Sequence, residues 1–339
     1  MSRLFMTGAM TLASIGFLYG APIPNLAVMV STGSATVRHY TATGTLVQTL
    51  TGGAGFMTGS VFDTAGNFYV TDFSGNVVKK YDNNAVFLNN TAAGTSPESI
   101  VFNAAGEFIV GSVGGGIRRF SAAGTLIETD IAGTRVDWID LAADQQTIYF
   151  TQEGRTIQRY NIVTNVAGTT ITLPGSGNAY ALRLLPAGGL LVADGVNIKR
   201  LDAAGSLIQT FDIAGIDDWF ALNLDPDGVT FWSAGIASGR VRRFNISTGA
   251  VVSNFDAGTD VFGVSVRGEI AVGDGRCDVN LDRRVDSADI GLIMAARNQP
   301  ASGPSDPRDY DRDGTITVAD ARACTRICTA IGCATLQAQ

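Results

Sequence analysis

Two stretches near the end of the chain place oxygen-bearing side chains at alternate positions, the spacing that wraps a backbone around a hard cation. A twelve-residue calcium loop takes its ligands from positions 1, 3, 5, 7, 9 and 12, with a backbone carbonyl at position 7. The stretch "DYDRDGTITVAD" supplies Asp309, Asp311, Asp313, the Thr315 carbonyl, Thr317 and Asp320, with Gly314 at the sharp turn of position 6. Upstream by 31 residues, "DVNLDRRVDSAD" offers Asp278, Asn280, Asp282, the Arg284 carbonyl, Asp286 and Asp289. Arg283 stands there in place of the turn glycine, which predicts a strained and weaker loop. The chemistry implied is the binding of two Ca2+ ions. So many carboxylates repel one another without a cation, so calcium binding is expected to be coupled to folding.

A second set of residues lies upstream, where acids and aromatic rings share short stretches. These are Glu98 in "SPESI", Asp137 and Trp138 in "RVDWIDL", Tyr180 in "GNAYAL", Asp218 and Trp219 in "IDDWF", and Asp260 with Phe262 in "TDVFG". A rim that mixes carboxylates with aromatic faces suits a carbohydrate, a cation or a peptide. The alternative is polar solvation of strand ends with apolar plugging between them. The single histidine, His39, lies in a basic pair, no G-x-S-x-G elbow occurs, and all four cysteines follow residue 276. A histidine base or a cysteine nucleophile in the body of the chain is thereby disfavoured.

The elements that position these residues come from a repeat. A β-branched residue, usually two basic residues, and an aromatic or Leu recur six times: Val37–Tyr40, Val78–Tyr81, Ile117–Phe120, Ile157–Tyr160, Ile198–Leu201 and Val241–Phe244. The steps are 41, 39, 40, 41 and 43 residues. Strand-like runs precede and follow each copy, with Gly-rich turns between them. Four short strands per unit of about forty residues is the pattern of a propeller blade. The first unit lacks its opening strand, and "DVFGVSVRG" (260–268) supplies the missing one from the other end. Residues 25–273 are therefore expected to close into a mainly β, six-bladed propeller, with the acid and aromatic positions at the starts of the innermost strands. Ten of the 24 Lys and Arg sit in the repeated basic pairs. The repeat itself explains their recurrence, with aliphatic stems laid along neighbouring blades.

These units resemble the NHL and YVTN propeller families, through the forty-residue hairpin pattern over about 250 residues. The resemblance implies fold and says little of function, since such propellers serve as enzymes, adhesins and binding platforms. Regucalcin- and gluconolactonase-like propellers hold a metal through Glu, Asn and Asp, and Glu98, Asn178 and Asp218 are of those types here. Their spacing is too loose to carry that set over; the alternative kept beside the binding reading is a metal-dependent lactonase- or lyase-like enzyme using Glu98, Asp137 and Asp218. The C-terminal residues 274–334 resemble a type I dockerin, as loop–helix–linker–loop–helix, with "ADIGLIMAARNQ" and "VADARACTRICT" as the helices. Val285 and Ile316 fall at position 8, where the two loops are expected to pair. The resemblance implies a cohesin-type protein partner. However, the contact positions read Ser287-Ala288 and Val318-Ala319, and Met294-Ala295 replaces the basic pair, so the calcium fold is implied more firmly than the partner. Cys277, Cys324, Cys328 and Cys333 allow three pairings. The two-fold arrangement of such a module favours Cys277–Cys324 as a clasp, with Cys328–Cys333.

Residues 1–24, with Arg3 before an apolar run, read as a signal peptide, and 335–339 as a tail. The expected location is the cell surface or medium of a bacterium, where disulfides persist. The mature chain is expected to have no membrane span, and a net charge of −7 disfavours nucleic acid. The function expected is non-catalytic binding or surface attachment.

Overall fold

The computed structural model describes residues 20–51, 55–186, 188–258, 260–269, 276–280, 285–303, 306–326 and 328. The signal-peptide residues before Gly20, most of "EIAVGD", Asp282 to Arg284, Cys333 and the tail lie outside them.

Six antiparallel sheets form a six-bladed β-propeller. Their innermost strands are Val261–Val266, Met57–Phe62, Pro97–Phe102, Ile139–Leu141, Leu182–Leu184 and Trp219–Leu224, for blades one to six in that order. Each touches the next around a closed ring. Blade one joins the two ends of the propeller: Val261–Val266 pairs with Val28–Thr32, followed by Thr36–Tyr40 and Leu46–Thr51. The closure expected from the sequence is thus present, and it removes two free inner edges.

Each blade is held by one repeated cross-strand pair. The aromatic or Leu that ends the basic motif lies opposite an apolar residue of the second strand: Tyr81 opposite Phe68, Phe120 opposite Phe108, Leu201 opposite Leu190 and Phe244 opposite Phe231. The Phe108–Phe120 and Phe231–Phe244 rings stack, at 5.0 and 5.2 Å between centroids. Such pairs lock the register, because a one-residue slip would turn every ring to the wrong face. The basic residues are used between strands and blades. Lys79 pairs with Asp72, Lys199 with Asp194 and Arg243 with Asp225. Arg159 and Arg200 donate to the Ala203 and Ile246 carbonyls of the following blades.

Around blades one to three the innermost strands approach so closely that side chains are excluded. A Cβ on Gly263 would lie 2.1 Å from the Thr58 carbonyl oxygen, and one on Gly59 would lie 2.6 Å from that of Glu98. Only glycine permits this contact. Two helices, Ser287–Ala295 and Val318–Arg326, follow the propeller.

Candidate functional site

At the end of the propeller where the innermost strands begin, three carboxylates converge. Glu98 is the second residue of the blade-three strand, Asp137 precedes the blade-four strand, and Glu153 follows the second strand of blade four. Their ligand oxygens lie within 4.8 Å of one another. Arg135 joins two of them: its Nε donates to Asp137 at 2.9 Å, and its terminal nitrogen lies 2.5 Å from Glu153. Glu98 is 5% exposed, and its charged neighbours are the other two carboxylates and, more weakly, Arg135. Burial first, and the Asp137 charge second, push the Glu98 pKa well above the usual carboxylate range. Burial and Asp137 also raise Glu153, opposed by Arg135.

The remaining rim residues part company. Trp138 and Trp219 are buried, at 2% and 0% exposure, in the core that joins blades four to six. Successive strand residues face opposite ways, so an acid pointing to the mouth sends the following indole inward. The indole faces are therefore not available to a ligand at the rim. Asp218 is held by its own blade, accepting from the Ala237 amide at 2.9 Å and from the amide and hydroxyl of Ser238. It does not join Glu98 and Asp137, so the three acids of the enzyme alternative are not assembled together. Asp260 is exposed, in a left-handed turn. Tyr180 is half-buried and opens an aromatic chain across the mouth: Tyr180–Phe220, Phe220–Phe262, Phe262–Phe56 and Phe56–Phe73, at 5.2, 5.8, 4.0 and 5.2 Å. This chain plugs the mouth beside blades five, six, one and two. Arg135, Glu153, Phe56, Phe73 and Phe220 were not singled out from the sequence. The acids were discoverable only as the second-strand exit and the residue flanking "DW".

The two C-terminal loops share one local geometry. The Asp320 carboxylate accepts from the amides of Tyr310, Asp311 and Thr317, which are positions 2, 3 and 9. Asp289 accepts from Val279, Asn280 and Asp286, the same three positions of the first loop. Asp286 also caps the first helix, accepting from the Ala288 amide. Asp309, Asp311 and Asp313 have ligand oxygens within 4.8 Å of one another, and Gly314 takes φ +91° at the turn. Thr317 donates its hydroxyl to Asp320, and Thr315 pairs with Pro300. Asp309 is 2% exposed, and its Oδ1 is buried without a hydrogen-bond partner. Burial first raises the pKa of Asp309, and burial with the Asp320 charge raises Asp311 to about 6. Of the first-loop ligands, Asp278 and Asn280 are described, whereas Asp282 and Arg284 lie outside the described residues. The Ile316 amide donates to the Gln299 carbonyl, and its carbonyl accepts from the Asn298 amide. Val285 and Ile316 are both buried members of one core.

Cys277 and Cys324 form a disulfide. Cys328 is not a free thiol, and its expected partner Cys333 lies outside the described residues. The loops sit at the other end of the propeller from the acidic cluster. Asn25 donates to the Asp311 carbonyl at 2.7 Å, and Arg276 donates to the Gly268 and Glu269 carbonyls. A cavity of about 580 Å³ lies there, between strand ends such as Phe62, Phe102 and Leu141 and the C-terminal Arg276, Asp306 and Arg312.

No protein-family model and no curated protein matches the chain. Among solved structures, a chain from the crystal structure of a nidogen/laminin complex is similar, with a TM-score of 0.62 at 14% identity. The match covers 71% of this chain and 98% of that one, and it supports the six-bladed propeller fold.

Proposed function

We propose that this protein is an exported, non-catalytic binding or surface-attachment protein. Its propeller is the platform, and a calcium-stabilised, dockerin-like module is its adaptor. One observation carries the calcium part. The Asp309 Oδ1 atom is buried with no hydrogen-bond partner, beside Asp311 and Asp313. A buried carboxylate oxygen without a donor is costly, and a hard cation is the partner that an all-oxygen set selects. Asp309, Asp311, Asp313, the Thr315 carbonyl, Thr317 and Asp320 would hold one ion. Asp278, Asn280, Asp282, the Arg284 carbonyl, Asp286 and Asp289 would hold the other. The bound ion would supply charge neutralisation, while the shared amide bonds of Asp289 and Asp320 orient the loops.

The platform role rests on the propeller fold and its mouth, which offers a carbohydrate or peptide the acids and the ring edges described above. Calorimetry with calcium on the full chain tests the reading. A Asp278→Asn/Asp309→Asn variant should lose two ions relative to the parent, and adhesion of the chain to producing cells should fall on chelation. Equal calcium uptake by the two proteins, or attachment unaffected by chelation, would refute it.

A further inference from the structure

We propose a third cation site, at the propeller mouth remote from the C-terminal loops, in which Glu98, Asp137 and Glu153 bind a hard divalent cation of the calcium class. Arg135 closes the site when no ion is bound. The three carboxylates come from two adjacent blades, and their ligand oxygens already lie within 4.8 Å of one another. An all-carboxylate set selects a hard cation over a soft one.

The second observation is the state of Glu98. It is 5% exposed, and no N–H group among the described residues donates to its carboxylate. Its hydrogen-bonding neighbour is the Asp137 carboxylate, another acceptor when ionised. Buried carboxylates elsewhere in this propeller are treated differently. Asp72 and Asp194 each receive a lysine and a backbone amide. Asp218 receives two amides and a hydroxyl. Glu98 has no such complement.

Among the described residues the cation at this cluster is Arg135; it contacts the other two acids and acts on Glu98 only through its charge. It bridges Asp137 and Glu153 with its side chain 42% exposed. Three carboxylates against one guanidinium leave a formal charge of −2, which a divalent ion matches. Because Arg135 stands on the solvent side, it can swing outward without disturbing the core. Glu153, 35% exposed, marks the path by which an ion arrives.

Terbium(III), as a calcium probe, separates this site from the loops by its antenna. All three tryptophans, Trp138, Trp219 and Trp232, belong to the propeller, and Trp138 adjoins Asp137. The second loop carries Tyr310 instead. On the full chain, luminescence excited at the red edge, where only tryptophan absorbs, reports the mouth. Excitation that also reaches tyrosine reports the loops. The proposal expects tryptophan-sensitised emission that persists in Asp278→Asn/Asp309→Asn and is displaced by calcium. Glu98→Gln should abolish it, and Glu153→Gln should weaken it. Arg135→Met should tighten the apparent affinity by roughly tenfold, by removing the competing charge. A structural role for the cluster would not produce that gain. Absence of tryptophan-sensitised emission in both the parent and Arg135→Met overturns the proposal. So does emission that survives Glu98→Gln in a variant whose melting temperature matches the parent.

Discussion

The propeller and the C-terminal region solve the problem of holding together in opposite ways. Each blade buries a cross-strand pair and packs against its neighbours, so the propeller's core is a series of apolar clusters seated between adjacent blades around the ring. The C-terminal region, among the described residues, buries eight apolar side chains, and two of them are the half-cystines Cys277 and Cys324. Its loops also bury Asp289, Asp309 and Asp320, and one oxygen of Asp309 has no hydrogen-bond partner. The comparison teaches where each region's stability resides: apolar area in the first, and in the second a covalent clasp together with the calcium proposed above.

The sharpest way to break this comparison is to remove core from the propeller alone. Trp219 is fully buried and packs edge-on to Phe244, at 5.6 Å between centroids. Trp219→Ala should cost the propeller about 3–5 kcal/mol, read as a shift of its denaturant midpoint. The transition of the C-terminal region, followed through Tyr310 or by proteolysis, should stay where it was. If both transitions move together, the contacts of Asn25 and Arg276 make one cooperative unit, and the comparison fails.

The reciprocal test cuts the clasp. Cys277 and Cys324 are 47 residues apart in sequence. A loop of that length, once closed, disfavours the unfolded state by about 3–4 kcal/mol. Cys277→Ser with Cys324→Ser should therefore lower the C-terminal transition by that order and leave the propeller midpoint unchanged. A C-terminal transition as stable as the parent's, with calcium absent, would show that the eight-residue core suffices.

Much of this division is legible in the chain, for a physical reason. The blade repeat shows because every blade needs the same β-branched, basic and aromatic positions, and the closing strand shows because blade one lacks its own. The loops show because cation ligands must fall at fixed spacings. What escapes is whatever depends on two elements meeting. Glu153 lies 55 residues from Glu98 and leaves a different strand of a different blade, so no local spacing marks the pair. Trp138 and Trp219 misled by adjacency: sharing a dipeptide with an acid suggests one surface, whereas strand alternation divides them between mouth and core.

The smallest effect should separate the regions by sign. Burial raises Asp140 and Asp225 in the propeller to about 6, from the ordinary 3.8 of an aspartate. Asp140 faces Arg183, Glu269 and the Leu141 and Leu184 amides; Asp225 faces Arg243, Asp227 and the Thr230 hydroxyl. Their arginines oppose the shift without cancelling it. A carboxyl whose folded pKa lies above its unfolded value binds its proton more tightly in the native state. Between about pH 4 and 6 the native state then holds more protons than the unfolded one, so stability falls as pH rises through that window. Each group should contribute on the order of 1–3 kcal/mol, present in full below the unfolded pKa and lost above about 6. Under the proposed calcium binding the loop carboxylates would act the other way, because calcium requires them ionised and protons compete with it. Thermal unfolding in calcium at pH 5 and pH 7 reads both: the propeller transition should rise on acidification while the C-terminal transition falls. A propeller midpoint that falls in step with the loops would mean that Arg183 and Arg243 fully offset the burial of their acids. The two regions would then differ in core size and not in how they tolerate buried charge.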